Sequence, residues 1–133
     1  MWDDLARIHA ASFTAPAPWS ANALRGAALS PGGFLLRDGA GFLIGRSIAG
    51  EAELLTLATA PDARGRGIGG RLVAAFLARA ATDADTAFLE VAADNAPAIR
   101  LYLRHGFVPV GTRPRYYGAI DARMMRRNLT VGG

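Results

Sequence analysis

The chain has no cysteine and no lysine, and only two histidines, among its 133 residues. Without cysteine there is no disulfide, no thiol to carry a transferred group and no thiolate-bound metal. The two histidines, His9 and His105, argue against a zinc site, and both read as structural. Without lysine the phosphate-binding P-loop is excluded, because that pattern must end in Gly-Lys-Ser/Thr. Aromatic residues are sparse at 8%. No apolar run reaches membrane-spanning length. Met1-Trp2-Asp3-Asp4 is acidic and lacks a basic region followed by an apolar one, so it does not read as a secretory signal. The absences together point to the cytoplasm, with no metal and no membrane. A chain of this length is expected to form one domain, 1–133, around one ordinary core.

What the chain does have is arginine. All 15 basic residues are of that type, and the formal charge is +4. Arg113, Arg115, Arg123, Arg126 and Arg127 crowd the C-terminal fifth. A basic face of this kind suits coenzyme phosphates, an acidic peptide or RNA. It is equally what a solvated surface looks like in a chain that uses arginine in place of lysine.

Periodicity and punctuation give the element order. Leu5, Ile8 and Ala11 lie at helical spacing after an acidic start, so 3–11 reads as a helix. Pro16 and Pro18 make Phe13 to Trp19 a loop. Ser20 caps a second helix to about Leu29, stopped by Pro31-Gly32-Gly33. Strands follow at Phe34–Arg37 and Phe42–Ile48, joined at Asp38-Gly39. Glu51 to Thr59 is a third strand. A helix from about Arg71 to Thr82, a buried strand from Thr86 to Ala92 and a helix ending at Arg104 come next. Asp94 or Asn95 caps that last helix, and His105-Gly106 stops it. Phe107–Val110 and Ile120–Leu129 are the last strands, with Tyr116-Tyr117-Gly118 in a loop between them. The order α α β β β α β α β β predicts a mixed α+β sheet, mostly antiparallel, with one parallel βαβ crossover.

The segment between the third strand and its helix carries the sharpest signal. Arg64-Gly65-Arg66-Gly67-Ile68-Gly69-Gly70 follows Leu57-Ala58-Thr59 and runs straight into the helix. Glycines permit tight turns and close approach of a phosphate, and the first N–H groups of a helix have no internal partner. The run also matches GxGxxG, and Glu90 follows Gly70 at about the spacing of a ribose-binding acid. One short βαβ unit is too little for a dinucleotide fold, so that match is weak. A plain glycine turn before a core helix is the bland alternative.

Arg64-x-x-Gly67-x-Gly69 after a strand resembles the pyrophosphate loop of the GCN5-related N-acetyltransferases. Residues 87 to 107 strengthen the resemblance. Leu89-Glu90-Val91, Asn95, Ala98, Leu101-Tyr102 and Gly106-Phe107 fit the family's strand and capped helix in register. Pro18-Trp19-Ser20 and Arg115-Tyr116-Tyr117 resemble the P-W-S and N-Y-Y segments of the bacterial ribosomal-protein-alanine N-acetyltransferase (RimI) branch. The family normally has a strand before its first helix, and this chain begins at the helix. Gly70 stands where that branch usually has arginine, and Ala92 replaces the arginine after L-E-V.

The resemblance implies an acyl-CoA N-acyltransferase fold and an enzyme that moves an acetyl group from acetyl-coenzyme A to an amine. The transfer would be direct, in a ternary complex. Leu57, Ala58 and Thr59 would pair with the pantetheine arm, and Arg64 through Gly70, with Ile68 among them, would hold the pyrophosphate. Asn95 would bond the pantetheine or cap its helix. Glu90 would be the general base. Tyr102, a phenol of pKa about 10, would give a proton to the coenzyme thiolate of about 8.5. Trp19, Tyr116 and Tyr117 would wall the acceptor site. The preferred acceptor would be a protein or peptide N-terminus, a ribosomal protein among the candidates, with no nucleic acid required, and the protein would be a monomer or homodimer. The rivals are a small-amine acetyltransferase and a weakly catalytic coenzyme A-binding module with an RNA or ribosome partner.

Each residue also has a plainer reading. A lone acid in an apolar strand is costly to bury, so Glu90 needs either this use or an arginine partner such as Arg115. Tyr102 suits a core helix. Glu51 and Glu53 read as the solvated end of their strand, although some branches of the superfamily place the base there.

Overall fold

A computed structural model describes residues 1–12 and 18–129. Two helices, α1 (Trp2–Ser12) and α2 (Ala21–Leu29), precede the strands β1 (Gly33–Asp38), β2 (Gly41–Ile48) and β3 (Glu51–Thr59). Helix α3 (Ile68–Ala80), strand β4 (Thr86–Ala92), helix α4 (Ala96–Arg104) and strands β5 (Val108–Tyr117) and β6 (Ile120–Asn128) complete it. The proline loop expected from Phe13 lies, up to residue 17, outside the described residues.

The strands form one sheet in the order β1-β2-β3-β4-β6-β5. Among the described residues, only β3 and β4 run parallel, and α3 is their crossover. The mixed sheet expected from the element order is therefore present. Its core has two layers. On one face Leu54, Leu89 and Met125 pack under Val73, Phe76 and Leu77 of α3, all nearly inaccessible. On the other face Phe42, Ile44 and Ala58 meet Leu5, Ile8 and Leu24 of α1 and α2. Gly45 keeps the first layer tight, since a Cβ there would stand 2.6 Å from the Phe34 ring.

Local chemistry explains the boundaries. Ser20 Oγ accepts the Ala23 N–H at 3.1 Å and opens α2. Asn95 Oδ1 accepts the Ala98 N–H at 3.3 Å and opens α4. Helix α3 starts at Ile68, earlier than the glycines suggest, with Gly67 as its N-cap at φ 77°. Ile68 is 7% exposed, so its side chain anchors that first turn in the core. Strand β5 runs to Tyr117 rather than ending at Val110, which corrects the loop expected around Tyr116-Tyr117. Proline is tolerated because β5 is an edge strand. Its ladder is irregular between Arg113 and Tyr117, where Arg115 takes φ 53° and its N–H bonds to Asp121 Oδ1 at 2.9 Å.

The parallel pair sets up the site. Ladder contacts join Glu51–Leu54 to Thr86–Leu89 and stop there, although both strands continue. The β2–β3 register shifts between Ile44 and Gly45, leaving Leu55 as an extra residue on β3. A bulge of this kind bends a strand. Beyond it, β3 is held only on its β2 side, where Leu57 faces Leu43 and Thr59 faces Gly41. Among the described residues, no helix is long and apolar enough to cross a membrane.

Candidate active site

A cavity of about 480 Å³ opens where β3 and β4 part. Leu57, Glu90, Asn95, Tyr102, Trp19, Tyr116 and Tyr117 all line it. Residues read from four separate stretches of sequence thus share one wall. Ala58 and Thr59 do not line it, and neither does the segment from Arg64 to Gly70. Those lie further along the same strand and at the following helix, continuing the line of β3.

The glycine segment has the form of an anion cradle. Gly65 and Gly67 take φ 80° and 77°, which L side chains rarely adopt. A Cβ at Gly65 would meet nothing within 4 Å, so the space above the loop is open. No side chain caps α3, and its first internal bond is Arg71 N–H to Gly67 O at 3.0 Å. The N–H groups of Ile68, Gly69 and Gly70 therefore have no partner within the helix. Arg71 braces the loop by donating to Arg66 O at 3.0 Å and pairing with Asp38 at 2.6 Å. A pyrophosphate fits this donor set: open backbone N–H groups, a helix N-terminus and the nearby Arg64 and Arg66.

Glu90 is the first β4 residue past the paired segment. It is not the lone buried acid expected from its strand. Its side chain is 27% exposed, and Arg113 Nε stands 3.0 Å from Oε1. The partner is Arg113 and not Arg115. Glu53, expected at a solvated strand end, is 47% exposed but lines the same cavity, 3.8 Å from Arg46. Glu51 does not line it.

Tyr102 is 6% exposed and packs edge-on against Phe107 at 6.0 Å. Burial pushes its phenol well above the ordinary value, and the nearby Tyr117 adds to this. It keeps its proton across the working pH range. Tyr117 is raised as well, first by burial, then by Glu90 and Tyr116, with Arg113 opposing. The Tyr116 and Tyr117 rings meet edge-to-face at 5.0 Å, and the Arg113 guanidinium stands 5.4 Å from the Tyr116 ring centre.

His9 is a lining residue whose place in the cavity the sequence did not show. It is 1% exposed. Its Nδ1 accepts the Trp19 backbone N–H at 3.1 Å, so the neutral ring carries its proton on Nε2 and donates to Thr56 Oγ1 at 2.9 Å. Its ring also stacks on the Trp19 indole at 5.7 Å. Burial pushes the imidazole down to about 4. His9 thus fixes the Trp19 wall to the splayed strand. Nothing in the sequence links it to Thr56, which lies 47 residues away.

The acetyltransferase (GNAT) family model matches residues 2–107. The chain belongs to the GNAT family. Within it, the N-alpha-acetyltransferase RimI of Mycobacterium tuberculosis (strain ATCC 25618 / H37Rv) is 35% identical, over 92% of this chain and 84% of that protein. A crystal structure of the ribosomal-protein-S18-alanine N-acetyltransferase from Escherichia coli superposes with a TM-score of 0.87 at 27% identity. It covers 99% of this chain and 90% of that one. An uncharacterised protein of Mycobacterium leprae (strain TN) is 48% identical over 79 residues, and there the chain spans only 21% of the relative's length. The sheet with one parallel crossover is thus the GNAT fold, as the element order implied.

Proposed function

We propose that this GNAT protein transfers the acetyl group of acetyl-coenzyme A directly to the N-terminal α-amine of a protein or peptide. One observation carries the reading. The gap between β3 and β4 holds a carboxylate, a buried phenol and a free strand edge in one cavity, and the glycine cradle stands beyond the end of β3. The names of the RimI relatives support the choice of acceptor. A ribosomal protein N-terminus beginning with a small residue is the first to test.

Acetyl-coenzyme A would supply the acetyl group, and coenzyme A would leave as its thiolate. The unpaired edge of β3 around Leu57, Ala58 and Thr59 holds the pantetheine arm as an added strand would. The amides of Gly65 to Gly70 and the arginines Arg64 and Arg66 hold the pyrophosphate. Asn95 keeps α4 and hence Tyr102 in place. The N–H of Leu57 or its neighbour donates to the carbonyl oxygen as charge gathers there. As the N–C bond forms, Glu90 takes the proton shed by the nitrogen, directly or through a water. As the C–S bond breaks, Tyr102 donates to the sulfur. Burial makes this phenol a weaker acid than a free one, so it stays protonated and ready to donate as the C–S bond breaks, and its anion is short-lived. Trp19, Tyr116 and Tyr117 flank the acceptor backbone.

An α-amine of pKa about 7.8 loses its proton far more readily than a lysine side chain of about 10.4. Mass spectrometry of peptides incubated with the protein and acetyl-coenzyme A tests the reading. Acetyl groups on α-amines and not on internal lysines are expected. Acetylation mainly of lysine, or of polyamines with none on peptides, would refute it and leave the fold untouched.

A further inference from the structure

The cavity wall contains two carboxylates, Glu53 and Glu90. Each already has a guanidinium beside it. Arg113 stands 3.0 Å from Glu90, and Arg46 stands 3.8 Å from Glu53. Besides these two pairs, the titratable residues lining the cavity are His9, held unprotonated by burial, Tyr102, Tyr116 and Tyr117, of which Tyr117 feels the Glu90 charge. Among the described residues, a cation entering here finds each lining carboxylate already beside a guanidinium.

The location matters as much as the pairing. The sheet face beyond α1 and α2 carries a second groove of about 500 Å³. Ile48, Phe88, Val110 and Met124 line it, and it shares Glu53, Glu90 and Arg113 with the cavity. Arg46 also lines this groove. An acceptor that enters across the open face passes both arginines before it reaches the reacting centre. Arg113 is held there on two sides, by Glu90 and by the ring of Tyr116.

We propose that Arg113 is a specificity-determining residue, occupying the Glu90 carboxylate so that the site admits a neutral α-amine and turns away acceptors that arrive as cations. The inference rests on the α-amine reading and deepens it. At neutral pH a sizeable fraction of an α-amine of pKa about 7.8 is neutral, against roughly one part in a thousand of a lysine side chain. Polyamines arrive with several charges. A guanidinium a few ångströms from the reacting nitrogen repels every such cation, and the partly enclosed cavity screens that repulsion less than open water does.

The test compares kcat/KM for three acceptors: an α-amine peptide, an N-terminally blocked lysine peptide and spermidine. It uses the wild-type protein, Arg113→Gln and Arg113→Lys, with thermal melts to confirm folding. The wild type should prefer the α-amine. Arg113→Gln should shrink that preference over spermidine and lysine by about tenfold or more. Arg113→Lys, which keeps the charge, should retain most of it. Equal losses for all three acceptors in Arg113→Gln, with the wild-type preference intact, would overturn the role of Arg113 and leave the α-amine reading standing. A wild type that favours spermidine or lysine would overturn both.

Discussion

Strands β3 and β4 are one parallel pair with two unlike halves. From Glu51 to Leu54 and Thr86 to Leu89 they are laddered together, and Leu54 and Leu89 are sealed under α3. From Leu55 to Thr59 and Glu90 to Ala92 they are apart, and the cavity fills the gap. The first half makes the fold stable. The second half gives up ladder bonds and leaves room for a ligand strand and a reacting centre. Leu55, the extra bulge residue, marks the change from one to the other. Side chains one position apart, Leu89 and Glu90, thus belong to different economies of the same strand.

Substitutions on either side of that boundary should separate cleanly. The largest effect belongs to the open half. Tyr102→Phe should lower kcat about 10²- to 10⁴-fold, the usual worth of a positioned proton donor. The KM for acetyl-coenzyme A should stay near the wild-type value, because the lost interaction forms only as the thiolate leaves. Steady-state kinetics reads both numbers, and a fall in affinity with unchanged kcat would place Tyr102 in packing alone.

The paired half should answer differently. Leu89 is 2% exposed beneath α3. Leu89→Ala should cost about 2–5 kcal/mol of stability in denaturant unfolding. The kcat of the molecules that remain folded should change little. If it fell as far as in Tyr102→Phe, the two halves would not be separable.

A smaller effect links the halves through pH. The folded His9 sits at about 4, below the ordinary value of about 6.5. Between those values the unfolded chain binds the extra proton and the folded one does not, so stability falls as pH drops through this window. The loss should reach about 2 kcal/mol near pH 5. In the folded protein His9 takes its proton only near pH 4, so above about pH 5 the Nδ1 still accepts the Trp19 N–H and acceptor KM should not change through His9. Exposed Asp4 and Asp38, held low by Arg37 and Arg71, act only at lower pH. Melting curves of wild type and His9→Asn from pH 7 to 4.5 check this. Parallel slopes would remove His9 from the account.

Much of this was legible in the sequence because it is written in local pattern. The hairpin at Asp38-Gly39, the caps Ser20 and Asn95 and the glycine segment all rest on contacts within a few residues. What was not legible depends on distance in the chain. Glu90 selects Arg113 over Arg115 because the irregular stretch of β5 gives Arg115 a positive φ and bonds its N–H to Asp121. No spacing rule separates two arginines two positions apart. The His9–Thr56 bond is hidden in the same way. The sequence pattern places Tyr116 and Tyr117 in a loop, whereas they close β5, whose place at the sheet edge tolerates Pro109 and Pro114 in a strand.

The central claim is that the parted half of β3–β4 and the start of α3 receive acetyl-coenzyme A. Amide hydrogen exchange with and without the coenzyme tests it most directly. Slower exchange is predicted at amides within Leu55–Thr59 and at Ile68, Gly69 and Gly70, with no change across Glu51–Leu54 and Thr86–Leu89. Saturating coenzyme that protects none of the first group, or protects only the open-face groove around Phe88 and Met124, would contradict it.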